Sequence, residues 1–370
     1  MMSYTAAESE AEPQSSYRRG AGLLSQSRLA SGIRAVVSVP YMLGCAAALL
    51  VPGMLMLPLF LFKKRGATNR SNEEGGSLSA IKTLNARAVV AQVGFGPDHL
   101  APKLMAHLSL TGPGLLGWLY TQAYSRSLVW GFQLTRRLWV EQVMRPFLGD
   151  TIKFAEFTYL QLRTCWLDDV VTRFVRDLQG GRGQLVILGA GYDTRCMRLD
   201  LPSAIDRFEV DAAGTQAQKR AQVAKAGLHD SGVRYVTCDF ATQDWLAQLT
   251  QAGFDPKVPA CFVWEGVCMY LPREVVEDTL TKIRSLASGS VIGFDCMEEA
   301  WVRSPTMQKL TQRAGESWYF GLKAGTESAF VESLGLRCLD NLRRDVLLQR
   351  YMPKGLAACI DFGAFILAGV

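Results

Sequence analysis

Length, composition and charge exclude several classes of protein. The chain has 370 residues, of which 49% are hydrophobic and 20% charged, so it can bury a full core and is not disordered as a whole. The net charge of +6 is modest, and lysines and arginines are scattered rather than grouped with aromatic residues, so no nucleic-acid-binding surface is indicated. The nine cysteines lie mostly in apolar runs without a CxxC pair, as is typical of reduced core cysteines in a cytosol-facing protein. The three histidines lack metal-type spacing, so no metal site is predicted.

An uncharged N-terminal segment, residues 35–62, is long enough to cross a bilayer. It is too long for the apolar part of a cleaved signal peptide, and its prolines complicate a straight helix. Three interpretations stay open: a transmembrane helix, a bent hairpin embedded in one leaflet, and a buried segment of a soluble protein. Positive charges flank both ends, so charge does not determine the orientation. We expect a membrane-anchored protein with a cytosol-facing catalytic domain, and otherwise a cytoplasmic one.

Composition shifts divide the rest of the chain. Residues 1–34 form a polar tail, and residues 63–79, which are rich in small and polar side chains, form a linker. The globular domain is expected at 80–370. Within it, residues 80–180 are predicted to form mostly helices, which make a cap and lead into the first strand. Residues 181–370 are predicted to form the core.

After residue 180, strand-like and helix-like segments alternate, which predicts βαβ units. Two later strand-like segments can close the sheet as a terminal pair. The expected fold is therefore an α/β, doubly wound, mostly parallel sheet of seven strands. The predicted strands are 184–188, 207–211, 233–239, 260–266, 290–296, 336–342 and 359–369, with helices at 213–227, 241–252 and 272–286 between them.

The residues that end the parallel strands are the candidates for ligand binding, because ligands lie beyond the carboxyl ends of such strands. The first strand ends in Gly189-Ala190-Gly191, where the backbone can approach a ligand closely. Acids end the next strands: Asp211, Asp239 and Glu265. Each alone could simply cap a helix. A ribose-binding carboxylate suits both NAD and S-adenosylmethionine, but Thr194 replaces the third glycine of a dinucleotide-binding loop and Asp193 is a poor neighbour for a diphosphate.

Seven motifs carry a family resemblance. They are LRTCWLDDVV (162–171), LVILGAGYDTRCMRL (185–199), FEVD (208–211), CDF (238–240), GFDPKVPACFVWEGVCMYL (253–271), SWYFGLKAG (317–325) and DVLLQRYMP (345–353). Taken together and in order, these motifs resemble the leucine carboxyl methyltransferase-like family of class I S-adenosylmethionine-dependent methyltransferases. The resemblance continues to about residue 355, and 85–92 and 98–105 look more faintly like the family's N-terminal helices. It implies a Rossmann-like methyltransferase sheet and S-adenosylmethionine as the cofactor.

The resemblance also implies roles for individual residues. Arg163 resembles the arginine that pairs with the methionine carboxylate of the cofactor, a task that suits a bidentate guanidinium. Glu265 resembles the acid beside the cofactor, and Glu265 or Tyr270 is the candidate general base if the acceptor is a hydroxyl. Tyr270 could equally be a packing residue. The remaining predicted cofactor residues are Gly189 and Gly191 under the methionine and ribose, Asp211 at the ribose, and Asp239 with Phe240 at the adenine.

The acceptor is the least defined part of the hypothesis. An aromatic segment, residues 104–140, matches the family poorly; it is either ordinary helix core or a lipid-facing surface or lipophilic pocket. We expect O-methylation of a carboxyl or hydroxyl group on a small or lipophilic acceptor. Two alternatives remain: a membrane-anchored, non-catalytic binding module with this fold, and a nicotinamide-dependent dehydrogenase, which the missing third glycine disfavours.

Overall fold

The computed structural model describes residues 77–94, 96–110, 114–135, 152–240, 242–351 and 361–370. The N-terminal tail, the predicted membrane segment 35–62 and nearly all of the linker lie outside them. The described residues fall into two compact units. We call residues 163–347 with 361–370 the sheet unit, and the described residues of 77–162 with 348–351 the helical unit.

The helical unit is built from residues 77–135 and the first part of a long helix. Ser77 caps the first helix by accepting a hydrogen bond from the Ala80 backbone N–H at 3.2 Å. The prediction of helices between residues 80 and 180 is confirmed for the described residues. The helices are α1 (Leu78–Gln92), α2 (Ala101–Met105), α3 (Leu115–Thr135) and α4 (Ile152–Asp177), of which the part from residue 163 onward belongs to the sheet unit.

The sheet unit alternates strands and helices as the sequence predicted. Its strands are β1 (Gly183–Leu188), β2 (Ile205–Asp211), β3 (Val233–Thr237), β4 (Ala260–Trp264), β5 (Val291–Met297), β6 (Arg337–Leu342) and β7 (Gly363–Gly369). Its further helices are α5 (Arg195–Arg198), α6 (Ala213–Lys225), α7 (Trp245–Gln251), α8 (Arg273–Arg284), α9 (Glu299–Val302), α10 (Pro305–Ala314), α11 (Glu327–Ser333) and α12 (Arg344–Tyr351, of which 348–351 belong to the helical unit), with a 3₁₀ turn at Cys268–Tyr270.

The seven strands form one sheet in the order β3-β2-β1-β4-β5-β7-β6. The first five strands run parallel, and β7 is inserted antiparallel between β5 and β6. The prediction of a doubly wound, mostly parallel sheet closed by a terminal pair is confirmed, and β7 makes the sheet mixed. Strand β1 pairs with β2 on one side and β4 on the other, so the strand order reverses at β1, which is where such sheets bind ligands.

Complete burial explains why the central strands are continuous apolar runs rather than alternating ones. Every residue of β1, β4, β5 and β7 is buried. Aromatic rings fill one layer of the core: Trp245 and Phe254 both meet Phe262 edge-on at centroid distances of 5.9 Å. Seven cysteines lie in the described residues as free thiols, six of them buried. No helix among the described residues is both long and apolar enough to cross a membrane.

Candidate functional site

The loop after β1 turns tightly at its two glycines. Both adopt left-handed backbone conformations, with φ of +65° at Gly189 and +49° at Gly191. A Cβ atom at Gly189 would lie 2.4 Å from Cγ2 of Val267, so a side chain there would be blocked as well as strained. The glycines therefore let the loop turn beside the segment that follows β4.

The predicted ribose acid, Asp211, is brought directly onto this loop. Its Oδ2 accepts a hydrogen bond from the Gly191 backbone N–H at 2.5 Å, and its Oδ1 accepts one from Ala212 at 2.7 Å. Burial raises the pKa of the Asp211 carboxyl group above its ordinary value, although the two backbone N–H groups act in the opposite direction. Two predicted site residues twenty positions apart are thus in contact at neighbouring strand ends.

Arg163, the predicted carboxylate-binding arginine, lies between two acids. Its Nε donates to Oε1 of Glu265 at 3.0 Å and its Nη1 donates to Oδ2 of Asp295 at 2.8 Å. The other oxygen of Asp295 accepts a hydrogen bond from the Gly266 N–H at 2.6 Å. A Cβ at Gly266, where φ is +66°, would lie 3.0 Å from Arg163 Nη1, so only glycine leaves room for this guanidinium. The structure brings Arg163 and Glu265, which were both proposed as cofactor-binding residues, into direct contact and adds Asp295.

A second arginine, Arg195 on α5, is completely buried and holds three acids at once. Its Nε donates to Asp168 at 2.8 Å, and its Nη1 donates to Glu265 Oε2 at 2.5 Å and to Asp193. Burial alone would lower the pKa of Arg195, but the carboxylates of Asp193, Glu265 and Asp168 raise it well above the ordinary value. The two carboxylate oxygens of Glu265 therefore accept hydrogen bonds from different guanidinium groups, Oε1 from Arg163 and Oε2 from Arg195.

These groups form one guanidinium–carboxylate cluster whose charges do not balance. Arg198 extends it by donating to both oxygens of Asp168, at 2.7 and 2.6 Å. Three guanidinium groups thus face four carboxylates, a formal excess of one negative charge that suits a cationic ligand better than an anionic one. The members of the cluster are Arg163, Arg195, Arg198, Asp168, Asp193, Glu265 and Asp295.

A buried ion pair lies behind the ribose end of the site. Glu209 on β2 and Lys219 on α6 are both 1% exposed, and Nζ of Lys219 donates to Oε2 of Glu209. Burial raises the pKa of Glu209 to about 7, and Lys219 opposes that rise. Because Glu209 is two residues before Asp211, the pair ties the end of β2 to the helix that follows it.

The other predicted residues are placed at the same edge of the sheet by chain position. Asp239 lies two residues beyond β3; it is exposed and accepts a hydrogen bond from Thr242 Oγ1 at 3.0 Å. The Phe240 ring is half-buried and packs against the core, and Tyr270, also half-buried, ends the 3₁₀ turn. The contacts described above do not join these three residues to the cluster.

Sequence reasoning did not select Asp295, Asp168 or Arg195 as site residues. Each has a signal in retrospect: Asp295 is the one charged residue of the otherwise apolar strand β5, and Asp168 and Arg195 belong to the quoted motifs. Asp193 was taken as a poor neighbour for a diphosphate, but its carboxylate is 3% exposed and its charge is offset by Arg195, so this part of the argument against NAD is weak. The absence of a third glycine from the loop still argues against NAD.

One family model matches part of this chain. Residues 133–284 match the family model described as leucine carboxyl methyltransferase. The predicted resemblance to the leucine carboxyl methyltransferase family is confirmed. The segment matched by the family model includes β1 to β4 and every cluster member except Asp295.

Relatives with this similarity occur in several actinobacteria. A Saccharopolyspora erythraea protein named "Putative S-adenosyl-L-methionine-dependent methyltransferase" is 31% identical over 166 residues, which are 45% of this chain and 56% of that protein. A Mycolicibacterium paratuberculosis protein of the same name is 36% identical over 125 residues, 34% of this chain and 40% of that protein. The chain thus spans about half the length of these relatives.

Solved structures are similar at a lower level. The magnesium protoporphyrin IX methyltransferase of Synechocystis PCC 6803 with bound SAH has 12% identity and a TM-score of 0.37, covering 64% of this chain and 99% of that one. The geranyl diphosphate C-methyltransferase of Streptomyces coelicolor A3(2) has 12% identity and a TM-score of 0.36, covering 62% and 89%. The resemblance to the family is based on the sequence matches.

Proposed function

We propose that this chain is an S-adenosylmethionine-dependent methyltransferase that transfers a methyl group to an oxygen atom of a carboxyl or hydroxyl acceptor. The observation that carries the proposal is the contact of Asp211 with the Gly189–Gly191 loop at the point where the strand order reverses. The family match and the names of the relatives support it.

The charges of the site fit this cofactor. S-adenosylmethionine carries a sulfonium and an ammonium group against a single carboxylate, so its net charge is positive. The guanidinium–carboxylate cluster has a formal excess of one negative charge, which favours such a ligand over an anionic dinucleotide. In the proposed arrangement Arg163 binds the methionine carboxylate, with the acids of the cluster holding it in position.

The proposed ribose and adenine positions follow the strand ends. Asp211 would accept hydrogen bonds from the ribose hydroxyls, and the fixed backbone of Gly189 and Gly191 would let the cofactor lie against the loop. Asp239 would accept a hydrogen bond from the adenine amino group, with Phe240 beside the ring.

When bound, the cofactor supplies an electrophilic methyl group on a sulfonium, so the protein mainly has to align the acceptor oxygen and exclude water. If the acceptor is a carboxylate, no base is needed. If it is a hydroxyl, Glu265 or Tyr270 would take its proton.

We further propose that the globular domain covers residues 80–370, with a helical cap before residue 181, and that residues 35–62 associate with a membrane. The basis is the length of the uncharged segment and the cations on both sides of it. In this arrangement the catalytic domain faces the cytosol and a lipophilic acceptor reaches it from the bilayer.

Calorimetric titration of the full chain with S-adenosylmethionine, S-adenosylhomocysteine and NAD tests the cofactor. We expect the first two to bind and NAD not to. Asp211→Asn should weaken binding at least about tenfold, because a charged acceptor for the ribose hydroxyls becomes a neutral amide. Asp206→Asn, the same change at the other end of β2, is the matched control and should leave affinity unchanged. Binding of NAD alone would favour the dehydrogenase, and a folded chain that binds none of the three would favour the non-catalytic module.

A further inference from the structure

Helix α3 of the helical unit has an unusual distribution of polar and apolar side chains. The side packed against the unit carries small and polar residues: Gly117, Thr121 and Ser125 are all buried. The opposite side is apolar and exposed, with Leu115 at 69%, Leu116 at 61% and Leu119 at 47%. A surface helix in water normally shows the reverse pattern.

Specific hydrogen bonds fix this orientation. Thr121 Oγ1 accepts from the Leu110 N–H and donates to the Gly117 carbonyl, both at 2.8 Å. Ser125 Oγ and Asn85 Oδ1 of α1 are 2.6 Å apart. Rotating the helix to bury its leucines would break these contacts and expose Leu128 and Val129, which pack with Val89 and Val93. The leucines therefore face outward because the other side of the helix makes these hydrogen bonds and packing contacts.

The exposed residues form one continuous face. Spacings of four, four, three and four residues keep side chains on the same side of a helix. We define the apolar face of α3 by the exposed residues with this spacing together with Leu116, which lies beside them. The five residues with the spacing are Leu115, Leu119, Ala123, Arg126 and Trp130. Arg126 is the one charged residue of this face, and its long side chain can reach away from an apolar layer.

The exposed charges of this part of the chain have one sign. Among the described residues between 77 and 135, the exposed charged side chains are Lys82, Lys103 and Arg126. The single acid there, Asp98, is 1% exposed and lies 3.9 Å from Arg87. An exposed apolar helix face in a segment whose exposed charges are all cationic is the pattern of helices that lie in the surface of an anionic bilayer.

The position of the uncharged segment in the chain supports the same partner. Between residue 62 and the start of α1 lie residues 63–77. Even fully extended, these 15 residues reach at most about 50 Å. If residues 35–62 enter a bilayer, the start of α1, which belongs to the same unit as α3, stays within that reach of its surface.

We propose that the apolar face of α3 docks in the plane of an anionic lipid bilayer, as a membrane contact separate from residues 35–62. Trp130, 59% exposed on this face, would lie at the interface where indole rings are favoured. The family match begins at residue 133 and leaves this face without a role in the shared chemistry.

The test uses the full chain and vesicles of phosphatidylcholine and phosphatidylserine whose acyl chains carry bromine. Bromine quenches indole fluorescence only at short range, so the difference between the unmodified chain and Trp130→Phe isolates the signal of this one ring. We expect that signal to be quenched by about half or more, as for a side chain at the headgroup and acyl boundary. Leu119→Glu should abolish the quenching. Leu310→Glu, at a leucine of the sheet unit that is 50% exposed, is the matched control and should retain it.

The outcomes separate this proposal from the others. If the chain floats with the vesicles but Trp130 is not quenched, residues 35–62 suffice for attachment and the proposal for α3 is wrong. If the chain does not float, both membrane proposals fail, whatever the cofactor titration shows. If Leu119→Glu turns a lipid-free dimer into a monomer, a second copy covers the face instead. Should Leu119→Glu unfold the helix, Leu116→Glu on the same face makes the same test.

Discussion

The guanidinium–carboxylate cluster and helix α3 both reverse the usual distribution of polar and apolar residues. In the cluster, the Arg195 guanidinium is fully buried; on α3, three leucines and two tryptophans are exposed. Each carboxylate of the cluster lies within hydrogen-bond distance of a guanidinium, although the cluster keeps a formal excess of one negative charge. The apolar face of α3 instead leaves large side chains exposed to solvent. Buried charge with an unbalanced sum therefore fits the charged ligand proposed above, and exposed apolar area fits the proposed contact with another phase.

Removing a buried charge should have the largest effect. Arg195→Met leaves Asp168, Asp193 and Glu265 without their shared guanidinium, and we expect the free energy of unfolding to fall by about 3–5 kcal/mol. Urea titration followed by circular dichroism measures it. The matched control is Arg303→Met, which breaks an ion pair to Glu299 at a side chain that is 75% exposed and should cost less than about 1 kcal/mol. If the two variants lose equal amounts of free energy of unfolding, the buried cluster contributes no more to stability than an exposed ion pair does.

The two sides of α3 should respond differently to the same substitution. Leu128→Ala removes a buried side chain and should lower the free energy of unfolding by about 2–5 kcal/mol. Leu119→Ala, at an exposed position of the same helix, should change it by no more than about 0.5 kcal/mol without lipid. The same urea titration compares them. A large loss at Leu119 would show that this face is already buried in solution.

Cofactor affinity should depend on the protonation of Asp211. Because burial raises the pKa of this carboxyl group, it takes up a proton at a higher pH than an ordinary aspartic acid does. We therefore expect S-adenosylmethionine affinity to fall as the pH is lowered through that raised value and to be constant above it. Titrations across the acidic range measure the profile, and Asp211→Asn should flatten it. If the variant shows the same pH profile as the unmodified chain, the proposal that Asp211 binds the ribose is wrong.

The buried Glu209 should give the smallest change over a single pH unit, a pH slope in stability. Burial raises its pKa from 4.5 to about 7 in the folded chain, so the folded state holds a proton that the unfolded state releases between these values. The free energy of unfolding should then decrease as the pH rises across this interval, by at most about 1.4 kcal/mol per pH unit. Denaturant titrations at several pH values measure the slope, and Glu209→Gln should reduce it. A slope of the opposite sign would mean that Lys219 keeps the carboxylate ionised.

The sequence by itself determined the sheet and where along the chain the candidate site was proposed. Strands β1 and β4 were predicted to within two residues because parallel central strands are continuous apolar runs, and their pattern is local. The glycines at 189 and 191 and the acid at 211 were found because strand ends are where such sheets bind ligands. The family resemblance rested on these same local motifs.

Only the tertiary structure decided which charges pair and which face of α3 is exposed. Arg163 meets Asp295 across 132 positions of sequence, and no local pattern states which of several acids will lie next to a given arginine. The aromatic segment was left open between helix core and lipid-facing surface, because apolar residues occur on both sides of α3. Its orientation was set by the hydrogen bond from the Leu110 N–H to Thr121, eleven positions away, and by the contact between Ser125 and Asn85 of α1, which are forty positions apart. Local periodicity determines what kind of element forms, whereas packing against the rest of the molecule determines which side of it faces inward.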